Sequence, residues 1–134
     1  MSVSAELQKA IYDTLIADAA VSALIDDRVY DGRPKASNFP CITFGPSDTR
    51  ADDMECIDGR FETIQLDVWS RDQGKMRRCK EIMDAARNAL HFADLSLTVN
   101  ALVLIRVESM RIFMEGGGLT AHGVITVEAD LEQA

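Results

Sequence analysis

Apolar residues recur every three or four positions near the beginning of the chain, as they do on the buried face of a helix. The residues at this spacing are Leu7, Ala10, Ile11 and Leu15. Ser4 is placed to act as an N-cap, because a serine side chain accepts a hydrogen bond from a free amide of the first turn. The pattern predicts a helix from Ser4 to about Asp18, then a shorter helical segment, Ala20–Ile25, that ends at Asp26.

The segment Phe61–Phe92 holds the clearest strand and the clearest helix of the chain. Apolar Ile64, Leu66 and Val68 alternate with polar residues, which is typical of a strand with one buried face. After Gly74 the spacing becomes helical, and a single apolar stripe carries Met76, Cys79, Ile82, Met83, Ala86 and Leu90. We expect this helix to end at His91, where the helix dipole favours a partly charged imidazole.

Four further segments are predicted to be strands or the turn between two of them. Phe39–Phe44 is entered through a proline, which suits a first strand position or an edge. The first half of Ala101–Phe113 is apolar on both faces, which predicts a central strand covered on both sides. Glu115–Leu119 is a glycine-rich turn, and His122–Leu131 is expected to return as the antiparallel partner.

The connections contain shorter elements. Arg28–Tyr30 and Leu95–Leu97 are predicted to be short extended pieces, and Asp31–Pro34 has the chemistry of a turn. Ser47–Gly59 is polar and acidic, and we expect a long loop or the tip of an extended hairpin. The order helix, short strand, two strands, helix, two strands predicts one α+β domain over residues 1–134, with an antiparallel or mixed β-sheet and two main helices packed on one face.

The charge of the chain argues against a nucleic-acid-binding role. Its 134 residues include 22 acidic and 14 basic side chains, a net charge of −8. Nucleic-acid binding requires clustered lysines and arginines. The one basic cluster, Lys75–Lys80, is diluted by nearby acidic residues and is predicted to be a solvated helix face. No apolar run is long enough to span a membrane and no secretion signal is present, so we expect a cytoplasmic product without a membrane partner.

Residues with catalytic or metal-binding chemistry do not fall into a known spacing. Neither His91 nor His122 belongs to a metal-binding motif, and both are expected to be structural. The chain lacks the G-x-S-x-G elbow of serine hydrolases. Cys41, Cys56 and Cys79 lack C-x-x-C spacing, which predicts reduced thiols rather than disulfides or a zinc site. The sequence therefore predicts no catalytic residue, no cofactor and no metal site.

Two loops contain residue types that also occur in phosphate-binding and calcium-binding sites. Gly116, Gly117 and Gly118 lack the spacing of a phosphate-binding loop and a helix to follow it, so a hairpin tip is expected. The acidic loop after Ser47 does not complete a calcium-binding pattern. Trp69, the only tryptophan, is predicted to anchor the strand against the helix, and a partner-facing role is the alternative.

Several segments together resemble the tail-completion or tail-terminator proteins of long-tailed phages and gene transfer agents. They occur in a fixed order from about Leu7 to Ala129: LQKAIYDTLIADAAVSALIDDRVYDGRP, FPCITFG, LDVWSR with the helix KMRRCKEIMDAARNALH, and the closing strand HGVITVEA. The resemblance implies an α+β subunit of a hexameric ring. It also implies a structural protein of the virion, made in the bacterial cytoplasm, without enzyme activity.

The resemblance further implies the partners of such a ring. The ring would cap the tail tube and join it to the head connector or stopper protein, and DNA would pass through the central channel without specific binding. Because an acidic channel repels DNA, we expect acidic and loop residues to face the channel or the partner proteins. These residues are Asp48, Asp52, Asp53, Glu55, Asp58, Glu115, Gly116, Gly117 and Gly118.

Three alternatives remain open at the level of the sequence. The chain is also compatible with another head–tail connector component such as a stopper, with a tail-tube subunit, or with a small ligand-binding or enzymatic α+β domain. A tube subunit is expected to have more β-structure than this pattern predicts. A ligand-binding domain requires a pocket with convergent polar groups, which the sequence does not indicate.

Overall fold

A computed structural model describes residues 2–32 and 35–134 of the chain. Within these residues the helices are α1 (Val3–Ala17), α2 (Ala19–Ile25) and α3 (Arg77–Leu90), with a turn of 3₁₀ helix at Ala36–Asn38. The strands are β1 (Val29–Tyr30), β2 (Cys41–Ala51), β3 (Gly59–Ser70), β4 (Ala101–Glu115) and β5 (Thr120–Glu132). Arg33 and Pro34, the second half of the predicted turn, lie outside the described residues.

The five strands form one mixed sheet in the order β1-β2-β3-β5-β4. β1 runs parallel to β2, and the other neighbours are antiparallel. The helices cover one face of this sheet, and α3 packs against β3, β4 and β5. The predicted α+β class with an antiparallel or mixed sheet is confirmed.

The core lies between the helices and the helix-covered face of the sheet. Its fully buried large side chains include Leu7, Ile11 and Leu15 of α1, Leu66 of β3, Ile82 of α3 and Ile125 of β5. The apolar periodicities of α1, α3 and β3 therefore identified core residues correctly. Gly123 of β5 allows close approach of α3, because a Cβ at this position would overlap the Met83 side chain.

The beginning of α1 differs from the prediction by two residues. Ser2, not Ser4, is the N-cap, and its hydroxyl accepts a hydrogen bond from the Ala5 amide at 3.2 Å. Ser4 lies inside the helix and donates a 2.8 Å hydrogen bond to Glu62 of β3. Ser4, the predicted N-cap, therefore makes a tertiary contact that local sequence patterns do not reveal.

The acidic segment Ser47–Gly59 belongs mostly to a hairpin. β2 continues to Ala51 and β3 begins at Gly59, so the connecting loop is limited to residues 52–58. All side chains from residue 46 to residue 58 are exposed. Of the two expectations for this segment, the extended hairpin is correct and the long loop is wrong.

The prediction that Ala101–Phe113 forms a central strand is wrong, because β4 lies at an edge of the sheet. Its apolar residues are largely unburied: Val103 is 61% and Leu104 is 41% exposed, whereas Ile105 is fully buried. The apolar run predicts cover on both faces of the strand, but in the isolated subunit only part of one face is covered. Leu95–Leu97, predicted to be a short extended piece, pairs with no strand and belongs to the irregular connection between α3 and β4.

Candidate assembly surfaces

The acidic hairpin tip, residues 52–58, lies at one end of the sheet. Its turn is closed by reciprocal backbone hydrogen bonds between Met54 and Ile57, at 3.1 and 2.9 Å. Both of these apolar side chains are exposed, and Val103 of β4 lines a shallow cavity with them. The acidic side chains around them are Asp52, Asp53, Glu55 and Asp58. The tip therefore combines apolar contact area with an acidic rim.

The glycine turn between β4 and β5 lies at the opposite end of the sheet. Gly116, Gly117 and Gly118 have φ values of 59°, 69° and 83°, a left-handed backbone that favours glycine. Glu115, which precedes them, places Oε1 2.9 Å from Nδ1 of His122. The structure therefore separates the predicted loop residues into two groups, and Glu115 makes a specific internal contact.

The helix-free face of the sheet contains a charged cluster near this glycine turn. The ring of His122 lies between two carboxylates, with Nε2 2.7 Å from Asp67 and Nδ1 2.9 Å from Glu115. Trp69 stacks on the imidazole with ring centroids 3.9 Å apart. Gln65 donates a further hydrogen bond to Asp67 at 2.9 Å.

This charged cluster does not have the arrangement of a catalytic site. Both ring nitrogens of His122 are occupied by carboxylates, so neither is available to activate a nucleophile. An adjoining groove of about 560 Å³ is lined by Phe39, Trp69 and Arg71 among others. Within residues 2–32 and 35–134, no group of three or more His, Cys, Asp or Glu side chains has the geometry to hold a metal ion.

Trp69 is half-buried, but its surroundings differ from the prediction. It packs on the helix-free face, where it stacks on His122 and lies parallel to Phe39 at 6.1 Å, instead of anchoring the strand against a helix. Its indole Nε1 donates to the Thr43 hydroxyl at 2.9 Å. These contacts join Trp69 to residues 26 to 53 positions away, so the sequence pattern did not indicate them.

Two buried carboxylates tie α1 to the rest of the fold. Glu62 is fully buried and accepts hydrogen bonds from Ser4 at 2.8 Å and Thr49 at 3.1 Å. Glu6 accepts from the Asn100 amide at 2.8 Å and from the Val99 amide at 3.0 Å. The Asn100 amide is the largest influence that lowers the pKa of Glu6 below its ordinary value.

His91 closes part of the outer edge of β4, and the expectation of a partly charged imidazole is wrong. Its Nδ1 accepts a 2.9 Å hydrogen bond from the Val107 amide, a role that requires an unprotonated nitrogen. Burial lowers the pKa of His91, and the nearby Arg87 and Arg106 lower it further. Next to it, the Phe92 amide donates to the Ile105 carbonyl at 2.9 Å.

The cysteines follow the expectation of unpaired thiols. Cys41 and Cys79 are buried, and burial raises the pKa of each thiol to about 11. A thiol with such a pKa is unreactive at neutral pH, since the thiolate is the reactive form. Cys56 is exposed in the hairpin tip. In the part of the chain that the structure describes, no helix is long and apolar enough to cross a membrane.

Comparison with known proteins places the chain among tail proteins. A family model described as "Tail completion protein gp17" matches residues 9–132. Among solved structures, a chain of the virion of a native gene transfer agent particle superposes with a TM-score of 0.89. The two sequences are 24% identical, and the alignment covers 98% of each chain.

The gp17 protein of bacteriophage SPP1 is a more distant structural match. It superposes with a TM-score of 0.60 at 18% identity, and the alignment covers 94% of this chain and 88% of that one. At these identities the two structural matches establish a shared fold. Among curated protein sequences, no relative matches the chain.

Proposed function

The chain belongs to the tail completion protein gp17 family of virion tail proteins, as its sequence resemblance predicted, and we propose that it forms a hexameric ring at the head–tail interface. The ring caps the finished tail tube and joins it to the head connector or stopper protein. DNA passes through the central channel without specific binding. The protein carries out no catalysis in this role.

One observation carries the ring proposal: β4 is a long edge strand with exposed apolar side chains. Val103, Leu104 and Met110 are each at least 39% exposed. Edge strands of stable monomers are usually short, charged or covered, because open edges pair with other chains. Part of this edge has no backbone partner outside the β4–β5 ladder among the described residues, and an exposed apolar edge of this kind supports pairing with another subunit in the assembled particle.

The distribution of charge supports a channel that does not retain DNA. The strand alternation places Asp48, Glu128 and Asp130 on the helix-free face, where Arg50 pairs with Asp48 and Arg106 pairs with Glu128. The hairpin tip adds further carboxylates at one end. We propose that some of these residues, drawn from Asp48, Asp52, Asp53, Glu55, Asp58 and Glu115, face the channel or its rim. Fixed negative charge repels DNA within a screening length of about 8 Å at physiological salt.

Assembly of the purified protein tests this function directly. Native mass spectrometry and negative-stain imaging are carried out on one sample, first alone and then with tail tubes added. Six-subunit rings with a hole wide enough for duplex DNA are the expected result, in solution or on the tubes. A closed ring of another stoichiometry contradicts the hexamer. A chain that stays monomeric in both conditions contradicts the ring itself.

A further inference from the structure

The outer edge of β4 is closed along its first half and open along its second. The Ile105 carbonyl and the Val107 amide, which point away from β5, are bonded to Phe92 and His91. The ladder has one extra residue between Val107 and Ser109. The alternation of an antiparallel ladder then makes Met110, Ile112 and Met114 the next residues whose backbone groups point outward. Among the described residues, no partner outside the β4–β5 ladder is found for their amides.

A groove runs beside this open half of the edge. A cavity of about 200 Å³ separates β4 from α3 and is lined by Lys80, Met83, Asp84, Met110, Arg111 and Ile112. Its floor is apolar, and methionine side chains adapt readily to the shape of a partner. An open strand edge next to a helix-lined apolar groove is the geometry in which an extended segment adds to a sheet. The added strand satisfies the backbone, and its alternate side chains enter the groove.

We propose that this strand-addition groove, formed by β4 residues 109–115 and α3, binds the β2 edge of a second copy of the chain. The inference rests on the proposed ring and specifies the contact that closes it. The arriving segment is the outer edge of β2 between Phe44 and Ala51. It pairs with β4 in the antiparallel direction.

The second copy is the occupant because β2 offers the complementary open edge. Among the described residues, β1 pairs only with Ile42 and Thr43, and no strand pairs with the outer side of β2 beyond them. Three successive antiparallel pairings separate β2 from β4, so the two strands run in opposite directions. A rotation about an axis roughly parallel to the strands keeps those directions. Two different edges that meet head to tail form a heterologous contact, which gives a closed ring when the rotation between neighbours divides a full turn.

One antiparallel register of the two edges brings opposite charges together. The arriving segment carries Asp48 and Arg50, and the hairpin tip that follows it carries Asp52 and Asp53. The open half of β4 carries Arg111, and Lys80 and Asp84 also line the groove beside it. Opposite charges at an interface fix the register of the partners and disfavour wrong pairings. The register that pairs Asp48 with Arg111 is therefore favoured over the register that pairs Arg50 with Arg111.

Disulfide cross-linking between introduced cysteines tests whether β2 of one copy pairs with β4 of the next, and in which direction. The backbone groups of two β2 residues, Asp48 and Arg50, point away from the new interface. The same holds for three β4 residues, Ser109, Arg111 and Phe113. At such positions the side chains of two facing antiparallel strands approach each other closely. One cysteine is placed on each strand in a Cys56→Ser background. In one antiparallel register, a cysteine that replaces Asp48 cross-links with one that replaces Arg111. In the same register, a cysteine that replaces Arg50 cross-links with one that replaces Ser109. The neighbouring register pairs Asp48 with Phe113 and Arg50 with Arg111.

The cross-linking result separates this inference from the ring. In the expected result, oxidation of assembled rings gives a ladder of cross-linked species up to the hexamer in one antiparallel register. Variants with a single cysteine give no ladder. Cross-links of Asp48 with Ser109 and of Arg50 with Arg111 would indicate parallel pairing and overturn the proposal. Six-subunit rings without any of these cross-links would also overturn it, while the proposed function would stand.

A second pair of variants tests the same contact without oxidation. Ile112→Pro removes an amide that points away from β5, so the fold loses no ladder hydrogen bond. Ile112→Ala is the matched control, because it shortens the side chain and keeps the amide. The expected result is a folded Ile112→Pro protein that fails to form rings, whereas Ile112→Ala forms them. If Ile112→Pro forms rings as well as Ile112→Ala, strand addition at this edge is wrong.

Discussion

Nε2 of His122 lies 2.7 Å from a carboxylate oxygen of Asp67, on a face of the sheet that no helix covers. Both side chains are nevertheless buried, since Trp69 stacks on one side of the imidazole and Phe113 packs on the other at 4.8 Å. The pair joins β3 to β5 across the middle of the sheet. A polar contact of this kind stabilises the fold only while both partners are present.

We expect His122→Phe to lower the free energy of unfolding by about 1–3 kcal/mol, because it leaves a buried carboxylate with one donor fewer. Phenylalanine keeps the stacking on Trp69, so the loss reports the hydrogen bonds. Urea denaturation monitored by circular dichroism measures the change. The Asp67→Asn variant and the double variant complete a thermodynamic cycle. Additive effects in the cycle would show that the two side chains do not interact.

The hydrogen bonds to Glu6 predict a loss of stability in acid. The Asn100 amide and, to a smaller extent, the Val99 amide lower the pKa of Glu6 in the folded state, whereas the unfolded value is about 4.3. The contribution is therefore complete above about pH 4.3 and is lost as the pH falls through the folded pKa. Urea denaturation between pH 7 and pH 3 is the measurement. Glu6→Gln is expected to be less stable at pH 7 and to lose less stability on acidification than the unaltered chain.

A matched control separates Glu6 from the many other carboxylates. Glu108 is exposed on β4, so Glu108→Gln is expected to leave the acid dependence unchanged. If Glu6→Gln and the unaltered chain lose the same stability between pH 5 and pH 3, the hydrogen bonds to Val99 and Asn100 do not couple folding to protonation.

His91 predicts a second pH dependence, at milder acidity. Burial and the charges of Arg87 and Arg106 lower its pKa in the folded state, and the unfolded imidazole titrates near pH 6.5. Stability is therefore complete above about pH 6.5 and falls as the pH decreases through the folded pKa, because the unfolded state binds the proton more readily. Replacement by glutamine keeps an acceptor for the Val107 amide and removes the titration. His91→Gln should show a flatter stability profile between pH 7.5 and pH 5.5.

Hydrogen exchange gives an independent readout for His91. The Val107 amide loses its acceptor when the ring is protonated, so its protection is expected to decrease in the same pH interval in the unaltered chain. In His91→Gln the protection should not change over that interval. Equal behaviour of the two proteins would show that the ring does not control this edge of β4.

The sequence predicted the type of each element better than the position of each strand in the sheet. The helical spacing of α1 and α3 and the alternation of β3 are local signals, and the structure confirms all three. The apolar run of β4 is equally clear, but an edge strand with exposed apolar side chains and a fully covered strand have the same composition over such a short segment. Position at an edge depends on strand order, which local spacing does not encode.

The candidate surfaces were predictable only where one segment contains them. The acidic tip and the glycine turn were read correctly as turns because their composition is local. The charged cluster was missed, since Asp67 and His122 are 55 residues apart and meet only through the register of β3 and β5. The use of His91 to close half of β4 was missed for the same reason. Its partner, the Val107 amide, is a backbone group with no signature in the sequence.

Charge at the hairpin tip provides the test of an acidic channel. Glu55 and Asp58 lie in the second half of the tip, farther along the chain from the proposed docking segment of β2. The double variant Glu55→Lys with Asp58→Lys should therefore leave ring assembly intact. If these residues face the channel rim, the added cations attract DNA phosphates and slow the release of DNA from assembled particles. The neutral variant, Glu55→Gln with Asp58→Asn, is the matched control and is expected to have an intermediate effect. The rate of DNA release is measured with a fluorescent DNA-binding dye.

Salt decides whether a change in release is electrostatic. The screening length decreases from about 8 Å at 0.15 M to about 3 Å at 1 M ionic strength, so the difference between the lysine variant and the unaltered particle should nearly vanish at high salt. A difference that persists at 1 M salt would indicate altered assembly instead of altered repulsion. Release at the unaltered rate by particles with intact lysine-variant rings would place Glu55 and Asp58 away from the path of the DNA.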